Sequence, residues 1–264
     1  MGTVAVFPPG PHPQGLPRQD GRCGTPLGHG PAVRHYPRPV TSAAGPPHSG
    51  GSPTGAAGYA DSFAAESAAQ LAARNRALTS ATAFGTPAPV EPAVGATLAV
   101  LAAGGTARSV VSIGSGGGVA GLWLLQGMRP DGVLTALDGD PAELRAARRA
   151  FTEAGVPSGR TRLIFGTPGE VLPRLSPLAY DLVFCDGPPL EYSAHLAGLL
   201  GLIRAGGSLV CHGLLTEGRI ADRAARDAQT VAWREIARTV REDETLVCAV
   251  LPIGAGLLVA TKHG

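Results

Sequence analysis

The sequence predicts an α/β protein: a doubly wound sheet of about seven strands with helices on both faces and a terminal antiparallel hairpin. Three observations carry that expectation. Short runs rich in Val, Ile and Leu alternate with helical segments that keep apolar residues on one side, as buried parallel strands joined by right-handed crossovers do. One strand-like run passes through a glycine-rich turn straight into a helix, in SVVSIGSGGGVAGLWLL. The chain finishes on two apolar runs joined by PIGA, and so short a link makes them antiparallel.

Residues 1 to 57 hold half of the 24 prolines, many glycines and a single acidic residue, Asp20. Such a segment buries too little apolar surface to offset its ordering entropy, and a disordered extension is expected there. His12, His29, His35 and His48 are scattered through it without ligand spacing, so no metal site is read from them. The alanine-rich stretch Tyr59 to Leu78 has helical spacing, the proline-bearing Thr79 to Gly95 reads as a loop, and Ala96 to Ala103 as a second helix. Strands are expected at Ser109 to Ile113, Val133 to Leu137, Thr161 to Phe165, Asp181 to Cys185 and Ser208 to Cys211. Helices separate them at Val119 to Met128, Pro141 to Ala154, Gly169 to Leu175 and Tyr192 to Ile203. A long helix from Asp227 to Val240 then precedes the hairpin of Thr245 to Leu251 and Gly256 to Thr261.

Composition narrows the function classes. A hydrophobic content of 44% over 264 residues suffices for a sizeable core. Lys and Arg number 22 against 20 Asp and Glu, which offers no basic stripe for nucleic acid. The prolines near the start break any signal-peptide pattern, and no long uninterrupted apolar run suggests a membrane span. Cys23, Cys185, Cys211 and Cys248 show no C-x-x-C spacing, so a soluble, cytoplasmic protein with reduced thiols is expected.

The glycine turn points to a ligand. Gly114, Gly116 and Gly118 clear side chains from the turn and the helix N-terminus, and Asp138 ends the next strand at the same edge, where a carboxylate accepts hydrogen bonds from the ribose of an adenosine cofactor. Gly116, Gly118 and Gly121 also satisfy G-x-G-x-x-G, which leaves NAD and S-adenosylmethionine unseparated on this stretch. Asp186 ends the fourth strand at that edge, as a functional carboxylate or a helix cap. His212 ends the fifth, beside Asp186 if the strands are neighbours, as a general base, a metal ligand or a hydrogen-bonded strand-end histidine. Strand alternation turns Cys185 and Cys211 to the opposite faces, which disfavours a Cys/His zinc site.

The blocks VVSIGSGGGVAGLWLLQGMRPDGVLTALDGDP, RTRLIFGTPGEVLPRL, YDLVFCDGPPLEY and RAGGSLVCHGLL, in this order and spacing, resemble the O-methyltransferase family related to catechol and caffeoyl-coenzyme A methyltransferases, in its actinobacterial branch. The resemblance implies a Rossmann-like methyltransferase domain over residues 58–264 that methylates a small-molecule acceptor, with the helices Tyr59 to Leu78 and Ala96 to Ala103 covering the cofactor or contributing to a homodimer interface. It places S-adenosylmethionine on Gly114, Ser115, Gly116 and Gly118, with its ribose on Asp138, its adenine near Gly166 to Glu170 including Thr167, and its methyl group facing Asp186. The sequence departs from the family's pattern in four places. Ser112 stands for an acidic residue, Ala120 for a hydroxyl residue, Pro189 for a lysine, and His212-Gly213 for an Asp-Asn pair. The oxygen shell of the family's divalent metal is therefore degraded. Three readings remain open: a metal-independent enzyme with His212 as base and Asp186 orienting, one holding Mn²⁺, Fe²⁺ or Zn²⁺ on Asp186 and His212, and a non-catalytic cofactor- or partner-binding protein.

Overall fold

The computed structural model describes residues 55–215 and 218–264. The extension expected over residues 1–57 lies outside these except for its last residues, of which Ala56 and Ala57 already begin helix α1, Ala56–Phe63. The single helix expected from Tyr59 to Leu78 is two. After α1 the chain turns and restarts as α2, Ala68–Phe84, because Ser67 and Gln70 form a capping box: Ser67 N donates to Gln70 Oε1 at 2.8 Å and Gln70 N to Ser67 Oγ at 3.3 Å. Helix α3 starts earlier than expected, at Pro92, and runs to Gly104. Proline is well suited to that first position, where its missing N–H has no partner to lose.

Seven strands follow: β1 (Ser109–Ile113), β2 (Val133–Asp138), β3 (Thr161–Phe165), β4 (Tyr180–Cys185), β5 (Ile203–His212), β6 (Leu246–Leu251) and β7 (Leu257–Lys262). They form one sheet in the order β3-β2-β1-β4-β5-β7-β6. The first five are parallel; β7 is antiparallel to both β5 and β6 and lies between them. Helices α4 (Val119–Gly127) and α5 (Pro141–Glu153) connect β1, β2 and β3. Asp140 caps α5 by accepting from Ala142 N at 2.7 Å, and Leu144, Ala147, Ala150 and Phe151 turn its apolar side inward. The stretch expected as one helix from Tyr192 to Ile203 is α7 (Pro189–Tyr192), a 3₁₀ turn (Ser193–His195) and α8 (Leu196–Leu202) in succession. Before it lie the short α6 (Pro168–Val171) and a second 3₁₀ turn; α9 (Ala228–Glu242) precedes the hairpin.

Strand alternation sends the side chains of each strand to two separate cores. Val110, Leu134, Leu182, Phe184 and Val210 pack with α3, α4 and α5. Val111, Ile113, Val183, Cys185, Leu209 and Cys211 pack with α8 and α9 on the other face. Both faces of β1, β2 and β4 are thereby dry, which is why these runs read as continuously apolar, whereas the edge strand β3 stays partly exposed. The carboxyl ends of β1, β2, β4 and β5 emerge together along one edge, and the candidate residues stand on it.

Candidate active site

At the end of β1 the backbone must turn sharply beside β4. Asp186 N donates to Ile113 O at 2.8 Å, and a Cβ on Gly114 would lie 1.8 Å from the Asp186 carbonyl oxygen. Gly114 is therefore required by this close approach of two backbones, with φ at 83°. Gly118 has a similar reason, since its Cβ would stand 2.9 Å from Ala147 Cα on α5. Gly116 differs: its Cβ would meet only Asp186 Oδ2, at 3.4 Å, so this part of the turn is left open.

Asp138, at the end of β2, organises the same turn. Its Oδ2 accepts from Ser115 N at 2.7 Å and from Ser115 Oγ at 2.8 Å, and its Oδ1 accepts from Asp140 N at 2.8 Å. A carboxylate offers about four acceptor positions, so one on Oδ1 stays available. Thr167, past the end of β3, is exposed; its N and Oγ1 both donate to Glu170 Oε2, at 2.9 and 3.0 Å. Gly166 N donates to Asp138 O at 3.0 Å and ties this segment to the edge.

Asp186 and His212 follow Cys185 and Cys211, which are aligned partners on β4 and β5. The pair expected from strand adjacency meets: His212 Nδ1 is 3.1 Å from Asp186 Oδ1. Asp186 thus faces two ways, Oδ1 toward the histidine and Oδ2 toward Gly116. The other edge of the imidazole carries a residue that sequence reasoning did not single out. Glu91 Oε2 is 3.2 Å from His212 Nε2, both atoms shut off from solvent, in an ion pair whose alignment falls short of a hydrogen bond. Burial alone would push the imidazole pKa down, but the Asp186 and Glu91 carboxylates outweigh it and hold it at about 9. Burial also works to raise the Glu91 carboxyl, yet His212, its own backbone N–H and the charge of Arg74 bring it below the ordinary value. At neutral pH the three groups form an imidazolium between two carboxylates.

A cavity of about 900 Å³ opens over this trio. Pro87, Ala88 and Glu91 line one side, Gly187, Pro188 and Pro189 another, and Arg219, Asp227, Thr230 and Trp233 the far wall. Its volume suits a small organic molecule. Gly114, Ser115, Gly116, Gly118, Asp138 and Thr167 lie outside its lining, and Asp186 is where the two regions meet.

At three of the four departures from the expected sequence pattern the structure places the residue as follows. Ser112 is buried and donates to Gly114 O at 3.1 Å, Ala120 is buried in the core, and Gly213 holds φ at 99°, a backbone that residues with side chains rarely adopt. Among the described residues, no group of three or more His, Cys, Asp or Glu is disposed to hold a metal ion. No helix among them is long and apolar enough to cross a membrane.

A profile described as O-methyltransferase matches residues 62–263. The Mycobacterium tuberculosis protein named "Probable O-methyltransferase Rv1220c" is 49% identical over 173 residues, covering 66% of this chain and 77% of that protein. A solved Corynebacterium glutamicum structure is 35% identical, with a TM-score of 0.69 over 78% of this chain and 94% of that one. The O-methyltransferase TomG of Streptomyces achromogenes, solved in complex with S-adenosylmethionine, shares the fold with a TM-score of 0.68 at 23% identity, over 76% of this chain and 92% of its own.

Proposed function

The chain belongs to the O-methyltransferase family, and from that premise we propose that it moves the methyl group of S-adenosylmethionine to a hydroxyl oxygen of a small acceptor in the cavity at the ends of β4 and β5. The observation that carries this is the position of Asp186, one oxygen toward the open glycine of the β1 turn and the other on the histidine that faces the cavity. A donor on one side and an acceptor on the other would meet there, as an in-line displacement requires.

The residues present fit the cofactor. Gly116 leaves its side of the turn open, Gly114, Ser115 and Gly118 shape the rest of the cradle, Asp138 Oδ1 keeps an acceptor position for a ribose hydroxyl, and Thr167 flanks the adenine side. When bound, S-adenosylmethionine supplies a methyl carbon made electrophilic by positively charged sulfur. Asp186 accepts from Nδ1–H and fixes the ring, so the base of neutral His212 is Nε2, which takes the hydroxyl proton when the acceptor replaces Glu91 at that edge. A base with a pKa of about 9 is well matched to an acidic hydroxyl, such as a phenol near 10.

The same residues do not fit the oxygen-ligated divalent metal that the family resemblance implies. Both ring nitrogens of His212 are taken up by carboxylates on opposite edges, so the trio does not converge on one ion. Gly213, with φ at 99°, replaces a carbonyl-bearing side chain with backbone alone. A cytoplasmic setting is proposed with it, since Cys185, Cys211 and Cys248 are free thiols. So is a homodimer, supported by the exposed aromatic side chains Tyr59, Phe63 and Phe84 on α1 and α2.

The test is isothermal titration with S-adenosylmethionine and, separately, NAD, first in EDTA and then with Mg²⁺ or Mn²⁺ added. Saturable S-adenosylmethionine binding in EDTA is expected; binding of NAD in its place, or no binding under any condition, would overturn the reading.

A further inference from the structure

Glu91 stands at the N-cap of α3 and does not cap it. Capping residues are normally short, Ser, Thr, Asp or Asn, whose oxygen folds back to the first free N–H groups. Here that work is done from another helix: Asp61 of α1 accepts from Ala93 N at 3.0 Å. The Glu91 side chain is released by this substitution of duties and extends instead over the end of β5, where Oε2 meets His212 Nε2 at 3.2 Å. Room for it is kept by the β6–β7 turn. A Cβ on Gly254 would lie 2.4 Å from Glu91 Oε2, and Gly254 has a φ of 52°. Two unrelated segments thus bear on one carboxylate, α1 by capping α3 in its place and the last turn by leaving it room.

We propose that Glu91 is a positioning residue of the reacting centre, gripping the His212 ring at its Nε2 edge while Asp186 grips the Nδ1 edge. In the resting site the clamp holds the ring by both nitrogens and takes up the place that an oxygen-ligated cation would need. The inference rests on the methyl-transfer reading for its purpose, but the clamp itself is a matter of geometry. Among the described residues, Arg74 of α2 acts on Glu91, and Arg219 and Asp227, which pair with each other, line the far wall of the cavity. Neither Arg219 nor Asp227 is among the causes of the His212 shift, which are burial, Asp186 and Glu91.

The experiment is ¹⁵N-resolved NMR of the histidine ring protons in the wild type and in Glu91→Gln, near pH 7.5, with and without Mn²⁺ alone as probe. His212→Gln identifies the signals. The wild type is expected to show both ring N–H protons of His212 shielded from exchange with water, and Mn²⁺ to leave them unbroadened. In Glu91→Gln the Nε2 proton is expected to exchange at least tenfold faster and the Nδ1 proton to keep its rate, with S-adenosylmethionine affinity unchanged within twofold. Equal exchange in wild type and variant, a wild-type Nε2 without a protected proton, or selective broadening by Mn²⁺ would each overturn the clamp. The wild-type spectrum alone decides the second and third of these, so the proposal does not hang on the variant's folding. Failure of the wild type to bind S-adenosylmethionine would instead sink the methyl-transfer reading and leave the clamp to be judged by its own signals.

Discussion

At the residue scale, Asp138 holds the β1 turn with one carboxylate and, in the proposed function, also receives the cofactor's ribose. Three of its acceptor positions hold the turn through Ser115 and Asp140, and one remains for a ligand hydroxyl. Asp138→Ala should therefore weaken S-adenosylmethionine binding at least tenfold by calorimetry, about 1.4 kcal/mol; unchanged affinity would remove the ribose from this strand end. His212 carries a pH signature of its own. Its folded pKa is raised to about 9 from an unfolded value near 6.5, so its contribution to stability is complete below 6.5 and is lost as pH rises through 9. Urea unfolding between pH 6 and 10 should show that loss in the wild type and a much smaller one in His212→Gln. Asp138, Asp186 and His212 were legible because each ends a strand whose apolar run is plain, and the carboxyl edge is where such sheets bind ligands. Glu91 was not, since it lies in a proline-rich loop far from His212 in sequence and only the fold joins them. One local sign existed: a glutamate directly before Pro92, where a short capping side chain is the rule.

Among the elements, the parallel strands were the most legible and the N-terminal helices the least. An alanine-rich run has good helix propensity at every position and so carries little information about where it stops. The break between α1 and α2 is written in Ser67 and Gln70, a capping box at the required spacing, which competes with the continuous alanine pattern around it. The consequence is functional, because the break turns α1 back over α3 and delivers Asp61 to Ala93 N. Asp61→Ala should cost about 1 kcal/mol and lower the melting temperature by about 2 to 4 °C. An unchanged melting curve, followed by calorimetry, would mean that another group caps α3. The segment from Pro189 to Leu202 broke into three short pieces for a related reason: the expected single apolar stripe is interrupted by Ser193 and His195, and the chain answers with a 3₁₀ turn.

For the molecule as a whole, the described residues bury both faces of the central strands β1, β2 and β4 with their own helices. A chain beginning at residue 55 should then melt at the same temperature as the full-length protein within repeat error, and a marked drop would show that the preceding segment packs against the domain. The order β5-β7-β6 has a further effect. Strand β7 is the last to be made, yet it is the one that covers β5, aligning Leu257 with His212 and Thr261 with Ser208. At a synthesis rate of roughly 5 to 20 residues per second, the exposed edge of β5 waits on the order of several seconds for its partner to emerge from the ribosome. During that interval the strand that ends in His212 offers its unpaired backbone to any passing neighbour, so nascent chains stalled before the final hairpin are the ones that chaperones should be found holding.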